Sequence, residues 1–261
     1  LWAAQLNNCV TIFVDWSGES IPGPKHYTKW RSGFTTTDTM TPSARNNLLY
    51  HIVLALHRAL DFASQQPEAD MSRVASFGGS WGGYLSLLLA GADSRVGCVM
   101  SAFGAGDWKN SHSGLSKVIE MLPADKKKEW FELFDTVSYA KQTKASVLMT
   151  TSANDFYFWM GGLMEHYKML PGKKTLIIAP NSDHGTGVPH WNDAAMPWVK
   201  QYFEGKDEFS RINMGSLHRQ GNIYSWTTKS PKSITNAALY FSPGNVDWPS
   251  RYWISIPANK L

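Results

Sequence analysis

The chain has 261 residues, a formal net charge of +4 and two cysteines. This length allows one large α/β domain together with a small additional one. The basic residues are scattered apart from Lys126-Lys127-Lys128, a run typical of the solvated face of a helix, so nucleic-acid binding is not expected. No apolar stretch approaches the roughly 18 residues of a membrane span, so no spanning helix is predicted.

The N-terminal residues leave the compartment open. The chain begins at Leu1 rather than at methionine, and residues 1–6 are typical of the later part of a helix, so we expect an N-terminal truncation. Any signal peptide would lie upstream, and secretion or a periplasmic location is compatible with the sequence. Cys9 and Cys98 are expected on or beside different, non-neighbouring strands, and therefore as free thiols.

Strand and helix patterns alternate along the chain. A buried-type β run at residues 10–14 precedes a long polar loop at residues 20–40. A helix with Thr41 as N-cap and Pro42 at its first position should then extend to about residue 63. Further strands are predicted at residues 73–77, 96–101, 146–151 and 176–179, and further helices at 84–90, 162–169 and 196–203. This alternation predicts right-handed crossovers and a parallel sheet.

One glycine-rich stretch, Gly78-Gly79-Ser80-Trp81-Gly82-Gly83, lies between the strand that ends at Phe77 and the helix that begins at Tyr84. A strand before G-x-S-x-G and a helix after it are typical of a nucleophile elbow, although a glycine-rich turn with an incidental serine has the same letters. Serine at so sharp a turn has strained backbone angles, and the glycines at 78 and 82 are expected to let the two backbones pass closely. The Ser80 hydroxyl should rise above the sheet, with the Trp81 amide and the helix dipole directed at an oxyanion.

Serine becomes a nucleophile only beside a base, and the base needs an orienting acid. After an elbow of this kind the chain order is serine, acid, histidine. Asp155 lies in the loop after the strand at residues 146–151, and His184 lies in the loop after the next strand. Both positions follow the carboxyl end of a strand, where open α/β sheets bind ligands. We therefore predict Ser80, Asp155 and His184 as a catalytic triad and the Trp81 amide as an oxyanion donor.

Other residues compete for two of these roles. His190 lies six residues beyond His184 in the same loop, but His184 is nearer to the strand end and is followed by Gly185. Asp155 has a loop-capping role as its alternative. Asp183 adjoins His184 and would face away from it.

The run from Gly78 to Tyr84, together with Asp155 and His184, resembles the α/β-hydrolases around the acetyl xylan esterases and the prolyl oligopeptidase-type peptidases. The resemblance covers residues 10–203. It implies an α/β-hydrolase fold, hydrolysis of acetyl or related carboxylic esters, and no metal or other cofactor. Two features depart from the peptidases: no propeller precedes this domain, and residues 149–155 lack the usual His-Gly before the acid.

The expected fold class is α/β, an α/β-hydrolase fold with a mostly parallel sheet flanked by helices over residues 1–204 and a cap-like insertion at about residues 103–140. Five sheet strands are counted where a complete hydrolase sheet has about eight. We therefore expect the first strands to be missing, together with the loop that normally supplies a second oxyanion donor. Residues 205–261 are predicted to form a small β-rich appendage.

Tryptophan is unusually frequent, with twelve in the chain. Trp16, Trp108 and Trp159 lie in loops near the predicted mouth of the site and could form aromatic platforms for sugar faces or aromatic acyl groups, as could Trp81. Each could instead fill the core or the cap. We expect a serine carboxylesterase acting on a small-molecule or carbohydrate ester. The alternatives are a prolyl oligopeptidase-type peptidase and a hydrolase-like binding protein without activity; the oligomeric state stays open.

Overall fold

The structure is a computed structural model, which describes residues 9–15, 40–185, 191–206, 209, 212–216, 218–221, 223–244 and 247–258. Several predictions concern residues outside these ranges. They are the N-terminal helix at residues 1–6, nearly all of the loop at residues 20–40, Trp16 and His190.

Within the described residues, a four-stranded parallel sheet in the order β1-β2-β3-β4 forms the centre of the fold. Its strands are β1 Val74–Gly79, β2 Val96–Ala102, β3 Ser146–Ser152 and β4 Lys174–Ala179. They confirm the predicted strands to within two residues at each end. The register pairs the last residue of β1 with the last of β2, and the last of β3 with the last of β4. The carboxyl ends therefore meet at one edge of the sheet, which is where Ser80 lies.

Helices cover both faces of this sheet. They are α1 Leu48–Ala63, α2 Trp81–Ala92, α3 Gly114–Glu120, α4 Ala124–Phe134, α5 Val137–Ala140, α6 Met160–Met169 and α7 Trp191–Glu204. Alternate residues of β3 pack on opposite sides: Val147 and Met149 join a core cluster with α2 and α6, whereas Leu148 joins one with α7. This period of two is the one expected of a β-strand that is buried on both faces.

α1 begins later than expected. Thr41-Pro42 was predicted as its start, but the helix begins at Leu48, after a short 3-10 turn at Ala44–Asn46. Asn47 is the N-cap, and its side-chain oxygen accepts the N–H of Leu49 at 2.9 Å. Asparagine satisfies a helix N-terminus at least as well as threonine does, so the later cap determines where the helix starts. The predicted end at residue 63 is confirmed.

The β run predicted at residues 10–14 is not a strand. Residues 9–15 form neither strand nor helix, and Phe13 is 78% exposed. A run of β-forming residues becomes a strand only when a neighbouring strand accepts its hydrogen bonds, and within the described residues β1 pairs only with β2. The count of five sheet strands is therefore wrong for the described part of the chain. Cys9 and Cys98 are both free, as predicted.

Short antiparallel strands follow α7. They are β5 Asn213–Met214 with β8 Thr228–Lys229, β6 His218–Gln220 with β7 Ile223–Ser225, and β9 Ala238–Phe241 with β10 Ile254–Pro257. They agree with the predicted β-rich C-terminal appendage, while the domain boundary at residue 204 stays a prediction. A 3-10 turn, Trp248–Ser250, precedes β10. No helix in the described ranges is long and apolar enough to cross a membrane.

Candidate active site

Ser80 lies between β1 and α2 in a strained backbone conformation. Its φ is 55° and its ψ is −124°, values that a non-glycine residue adopts only when its surroundings hold it there. The Ser80 N–H donates to the carbonyl oxygen of Ala102 at 2.8 Å, and the Tyr84 N–H donates to the carbonyl oxygen of Ser80 at 3.0 Å. The serine is therefore fixed to β2 on one side and to the first turn of α2 on the other.

The glycines around Ser80 have different functions. A Cβ atom at Gly78 would lie 2.5 to 2.8 Å from backbone atoms of Gly82, so no side chain fits there. A Cβ atom at Gly82 would meet nothing within 4 Å. The expectation that both positions require glycine is therefore right for Gly78 and wrong for Gly82. The Gly82 backbone occupies the space where a Gly78 side chain would lie, but a side chain on Gly82 itself would have room. Gly104 is a further requirement that the motif does not contain, because a Cβ atom there would overlap the Ser80 carbonyl oxygen.

The structure brings Ser80, Asp155 and His184 together. The distance from Ser80 Oγ to His184 Nε2 is 3.0 Å, and that from His184 Nδ1 to Asp155 Oδ2 is 2.9 Å. The Asp155 side chain is completely buried, and that of His184 is 15% exposed. The other carboxylate oxygen of Asp155 accepts the N–H groups of Tyr157 and Phe158, both at 2.8 Å. These backbone donors hold the carboxylate in place and direct Oδ2 at the imidazole.

Aromatic rings surround the His184 imidazole. Phe103 and Tyr157 each present an edge at 4.9 Å between ring centroids, and Phe158 stacks on it at 5.8 Å. Phe156 lies at 6.3 Å. Such packing restricts the ring and limits water around it. The sequence analysis missed these ring contacts, although four aromatic residues follow Asp155 directly, at residues 156–159.

The predicted tryptophans differ in exposure. Trp108 is 2% exposed and belongs to the core, so the expectation that it offers a platform to substrate is not supported. It stacks instead against half-buried Trp81, at 6.3 Å and an interplanar angle of 21°. Trp159 is half-buried and contacts the rings of His112 at 4.9 Å and Trp248 at 6.4 Å. Among the described residues, Trp81 and Trp159 are therefore the predicted platform candidates that stay partly exposed.

A buried polar cluster fixes the loop after β2. The Asp135 carboxylate accepts the N–H groups of Asp107 and Trp108 at 2.9 and 2.8 Å. Thr136 Oγ1 accepts the N–H of Gly106 at 2.7 Å and lies 2.9 Å from His166 Nδ1. Burial raises the pKa of Asp135 to about 6 and lowers the pKa of His166 to about 3. Asp135 and Thr136 thus hold the loop that follows Phe103 in place through its backbone N–H groups.

Among the described residues, no group of three or more His, Cys, Asp or Glu side chains is placed to hold a metal ion. What the arrangement can do is move a proton from the Ser80 hydroxyl to His184 while Asp155 orients the imidazole and stabilises its charge. Trp81 is the first residue of α2, so its amide and the positive end of the helix dipole lie next to the serine.

Comparisons with known proteins bear on the family and the fold. The sequence model of the prolyl oligopeptidase family matches residues 54–206, more than half of the chain. The acetyl esterase Axe7A of Xylanibacter ruminicola is 28% identical over 163 residues, which are 60% of this chain and 37% of that protein. The acetyl xylan esterase from Paenibacillus sp. R4 superposes with a TM-score of 0.56 and 26% identity, over 62% of this chain and 55% of its own.

A second solved structure, acetyl xylan esterase 1 from Thermoanaerobacterium sp. JW/SL YS485, superposes with a TM-score of 0.54 and 23% identity, over 68% of this chain and 61% of its own. The chain thus spans less than two thirds of the length of each of these relatives. Together with the parallel sheet and its elbow, these similarities confirm the predicted α/β-hydrolase fold.

Proposed function

The chain belongs to the prolyl oligopeptidase family, and from that premise we propose that it is a serine hydrolase that cleaves carboxylic esters through an acyl-enzyme. Ser80 is the nucleophile, His184 the general base and Asp155 the orienting acid. The observation that carries this proposal is the continuous hydrogen-bonded arrangement of the three side chains, with separations of 3.0 and 2.9 Å.

The proposed reaction has two steps. His184 Nε2 takes the proton of Ser80 Oγ as the oxygen attacks the ester carbonyl, and it then gives that proton to the departing alcohol. The Trp81 N–H and the helix dipole stabilise the oxyanion in each tetrahedral intermediate. Water, activated by the same imidazole, releases the acid from Ser80. Asp155 keeps the proton of the neutral imidazole on Nδ1 and stabilises the imidazolium.

An acetylated carbohydrate is the substrate class we propose. Two of the relatives are named acetyl xylan esterases and a third is named an acetyl esterase. The half-buried ring of Trp159, with His112 and Trp248 beside it, suits a sugar face, which packs well on flat apolar rings.

Peptidase activity is the second candidate, and the family match favours it. The same triad can attack an amide. A comparison of p-nitrophenyl acetate with a proline p-nitroanilide separates the two functions. The esterase proposal requires a higher kcat/KM for the acetate, and a preference for the anilide would assign the chain to the peptidases.

Ser80→Ala tests the enzyme proposal itself. We expect a loss of kcat on the order of 10⁴-fold or more, since removal of a triad nucleophile leaves only binding and oxyanion stabilisation. Circular dichroism should show an unchanged fold. A phosphonate probe should label the parent stoichiometrically and leave Ser80→Ala unlabelled. If the parent is neither labelled nor active, the chain is a binding protein and the proposal fails.

The histidine needs its own comparison. His184→Ala should lose activity as Ser80→Ala does, whereas His190→Ala should keep turnover within a few-fold of the parent. The reverse result would assign the base to His190.

A further inference from the structure

A stretch of the C-terminal appendage, residues 247–253, is bound to the loops that carry the acid and the histidine. Asn154, which directly precedes Asp155, is 7% exposed, and its Nδ2 donates to the Arg251 carbonyl oxygen at 2.6 Å. The same Nδ2 lies 3.3 and 3.2 Å from the carbonyl oxygens of Trp248 and Pro249. The buried side-chain amide of Asn154 thus lies within hydrogen-bond distance of three carbonyl oxygens of this stretch.

Trp248 contacts the acid residue directly. Its indole Nε1 donates to the backbone carbonyl oxygen of Asp155 at 2.7 Å, across 93 positions of sequence. The indole ring also packs against Trp159, which follows Asp155 by four residues. Trp248 therefore holds the backbone of Asp155, whereas the Tyr157 and Phe158 N–H groups hold its carboxylate.

The histidine loop is bound to the same stretch. Asn181 lies three residues before His184 and has a positive φ of 53°. Its Nδ2 donates to the Trp253 carbonyl oxygen at 2.8 Å, and its Oδ1 accepts the Trp253 N–H at 2.7 Å. The two loops also join each other, because the Asn154 N–H donates to the Ser182 carbonyl oxygen at 3.0 Å. Residues 247–253 thus bridge the two loops whose spacing sets the Asp155–His184 distance.

We propose that residues 247–253 are a positioning element for the catalytic triad, in which Trp248 sets the place of Asp155 and the Trp253 backbone sets that of the histidine loop. This inference rests on the function proposed above. Catalytic groups must stay within about 0.5 Å of their productive geometry, and loops reach such precision only when other segments support them. A displacement of ~1 Å can cost ~10²-fold in rate.

The choice of hydrogen-bond partners supports a specific role for this stretch. Exposed apolar side chains occur outside the stretch, as Ile223 at 70%, and also within it, as Tyr252 at 70%. The hydrogen bonds from residues 248–253 instead converge on Asn154, Asp155 and Asn181, at sequence separations of 72 to 97 residues. General packing of one domain on another would not select the residues next to the acid and the histidine.

The experiment compares Trp248→Phe with Trp253→Phe. Both variants remove an indole N–H and shrink a ring in the same stretch. The N–H of Trp248 binds Asp155, whereas the buried Nε1 of Trp253 has no hydrogen-bond partner. Trp253 contributes only its backbone to the proposed element, so its side chain provides the matched control. The steady-state kcat and KM for p-nitrophenyl acetate, the rate of phosphonate labelling and the Tm are measured for each.

We expect Trp248→Phe to lower kcat and the labelling rate between about 10- and 100-fold, with KM within about threefold of the parent because the aromatic face remains. Trp253→Phe should keep kcat within twofold. Equal kcat values in the two variants, measured well below either Tm, would overturn the positioning role and leave a purely structural contact. Ser80→Ala then separates the two proposals. If kcat is equal in the two tryptophan variants and Ser80→Ala is inactive, only the positioning inference is lost. If Ser80→Ala stays active, the proposed function fails as well.

Asn181→Gly provides a second variant if Trp248→Phe does not fold. Glycine tolerates the positive φ at this position but removes both hydrogen bonds to Trp253. We expect a lower kcat with a nearly unchanged KM here too. An unchanged kcat would count against the element in the same way.

Discussion

Replacing Gly78 with alanine tests whether the close approach of β1 and α2 holds Ser80, the proposed nucleophile, in place. The added Cβ would lie 2.5 Å from the carbonyl carbon of Gly82, whereas ordinary van der Waals contact begins at 3.4 Å, so the two backbones must separate by about 0.9 Å. The backbone of residue 78 fixes the position of this Cβ, and the Gly82 atoms belong to the main chain, so no side-chain rotation relieves the overlap. The matched control is Gly82→Ala, because a Cβ there meets nothing within 4 Å.

The expected magnitude follows from where that separation acts. Gly78 is two residues before Ser80 and Gly82 two residues after it, so moving them apart changes the turn that carries the nucleophile. Ser80 Oγ now lies 3.0 Å from His184 Nε2, and a shift approaching 1 Å would take the pair out of hydrogen-bond range. We expect kcat to fall ~10²-fold, with a loss of about 1–3 kcal/mol in the free energy of unfolding from overpacking. Gly82→Ala should keep its activity and gain up to about 1 kcal/mol from helix propensity.

Phosphonate labelling measures the reactivity of Ser80, and urea unfolding measures stability. Both are needed, because a variant that has only lost stability still labels at the parent rate at low temperature. Labelling of Gly78→Ala at the parent rate would refute the reasoning, since the nucleophile would then not depend on this approach. Equal effects of Gly78→Ala and Gly82→Ala would refute it too, because the added methyl group would overlap main-chain atoms at Gly78 and meets nothing within 4 Å at Gly82.

Two further predictions concern stability. Asn47→Ala removes the cap of α1, in which the oxygen of a completely buried side chain accepts the Leu49 N–H at 2.9 Å, and should lower the free energy of unfolding in urea by ~1 kcal/mol without changing kcat. Burial lowers the pKa of His166 in the folded state to about 3. As the pH falls below ~6.5, this histidine therefore takes up a proton in the unfolded state but not in the folded state, and the free energy of unfolding decreases progressively. Between pH 6 and pH 4, the free energy of unfolding of His166→Gln should fall less steeply than that of the parent, by ~1.4 kcal/mol per pH unit; parallel curves would contradict this.

The strands could be predicted because each is an apolar run of strand length bounded by turn residues. β3 and residues 10–14 show the same local pattern, yet β3 pairs with neighbours on both sides and residues 10–14 lie outside the sheet. A local pattern records the capacity to form a strand, whereas pairing depends on which other segment lies alongside. For a similar reason Asn47 rather than Thr41 caps α1, since both residues can cap a helix.

The candidate triad could be predicted because topology fixes the ends of parallel strands at one edge, so chain order alone indicated Asp155 and His184. No comparable rule indicates Asn154, Asn181 or Trp248. Asparagine before a catalytic acid has many local uses, and its partners here lie 94 to 97 residues away. Such contacts depend on how the C-terminal segment folds back over the sheet edge, which the sequence pattern does not encode locally.

Asp155 and His184, the two residues proposed to activate Ser80, are held in place by different interactions. Asp155 is fixed by polar contacts at three places: its Oδ1 accepts two backbone N–H groups, its Oδ2 faces His184, and its carbonyl oxygen accepts the Trp248 indole. His184 is held mainly by aromatic rings, which restrict its position but present no directional bond to its Nε2. The proposed reaction requires Nε2 to take a proton from Ser80 and give it to a leaving group in another direction, so packing suits the base as directional bonding suits the acid. Because hydrogen bonds depend steeply on distance and angle, loosening residues 247–253 should affect the acid first, and through it the orientation of the base.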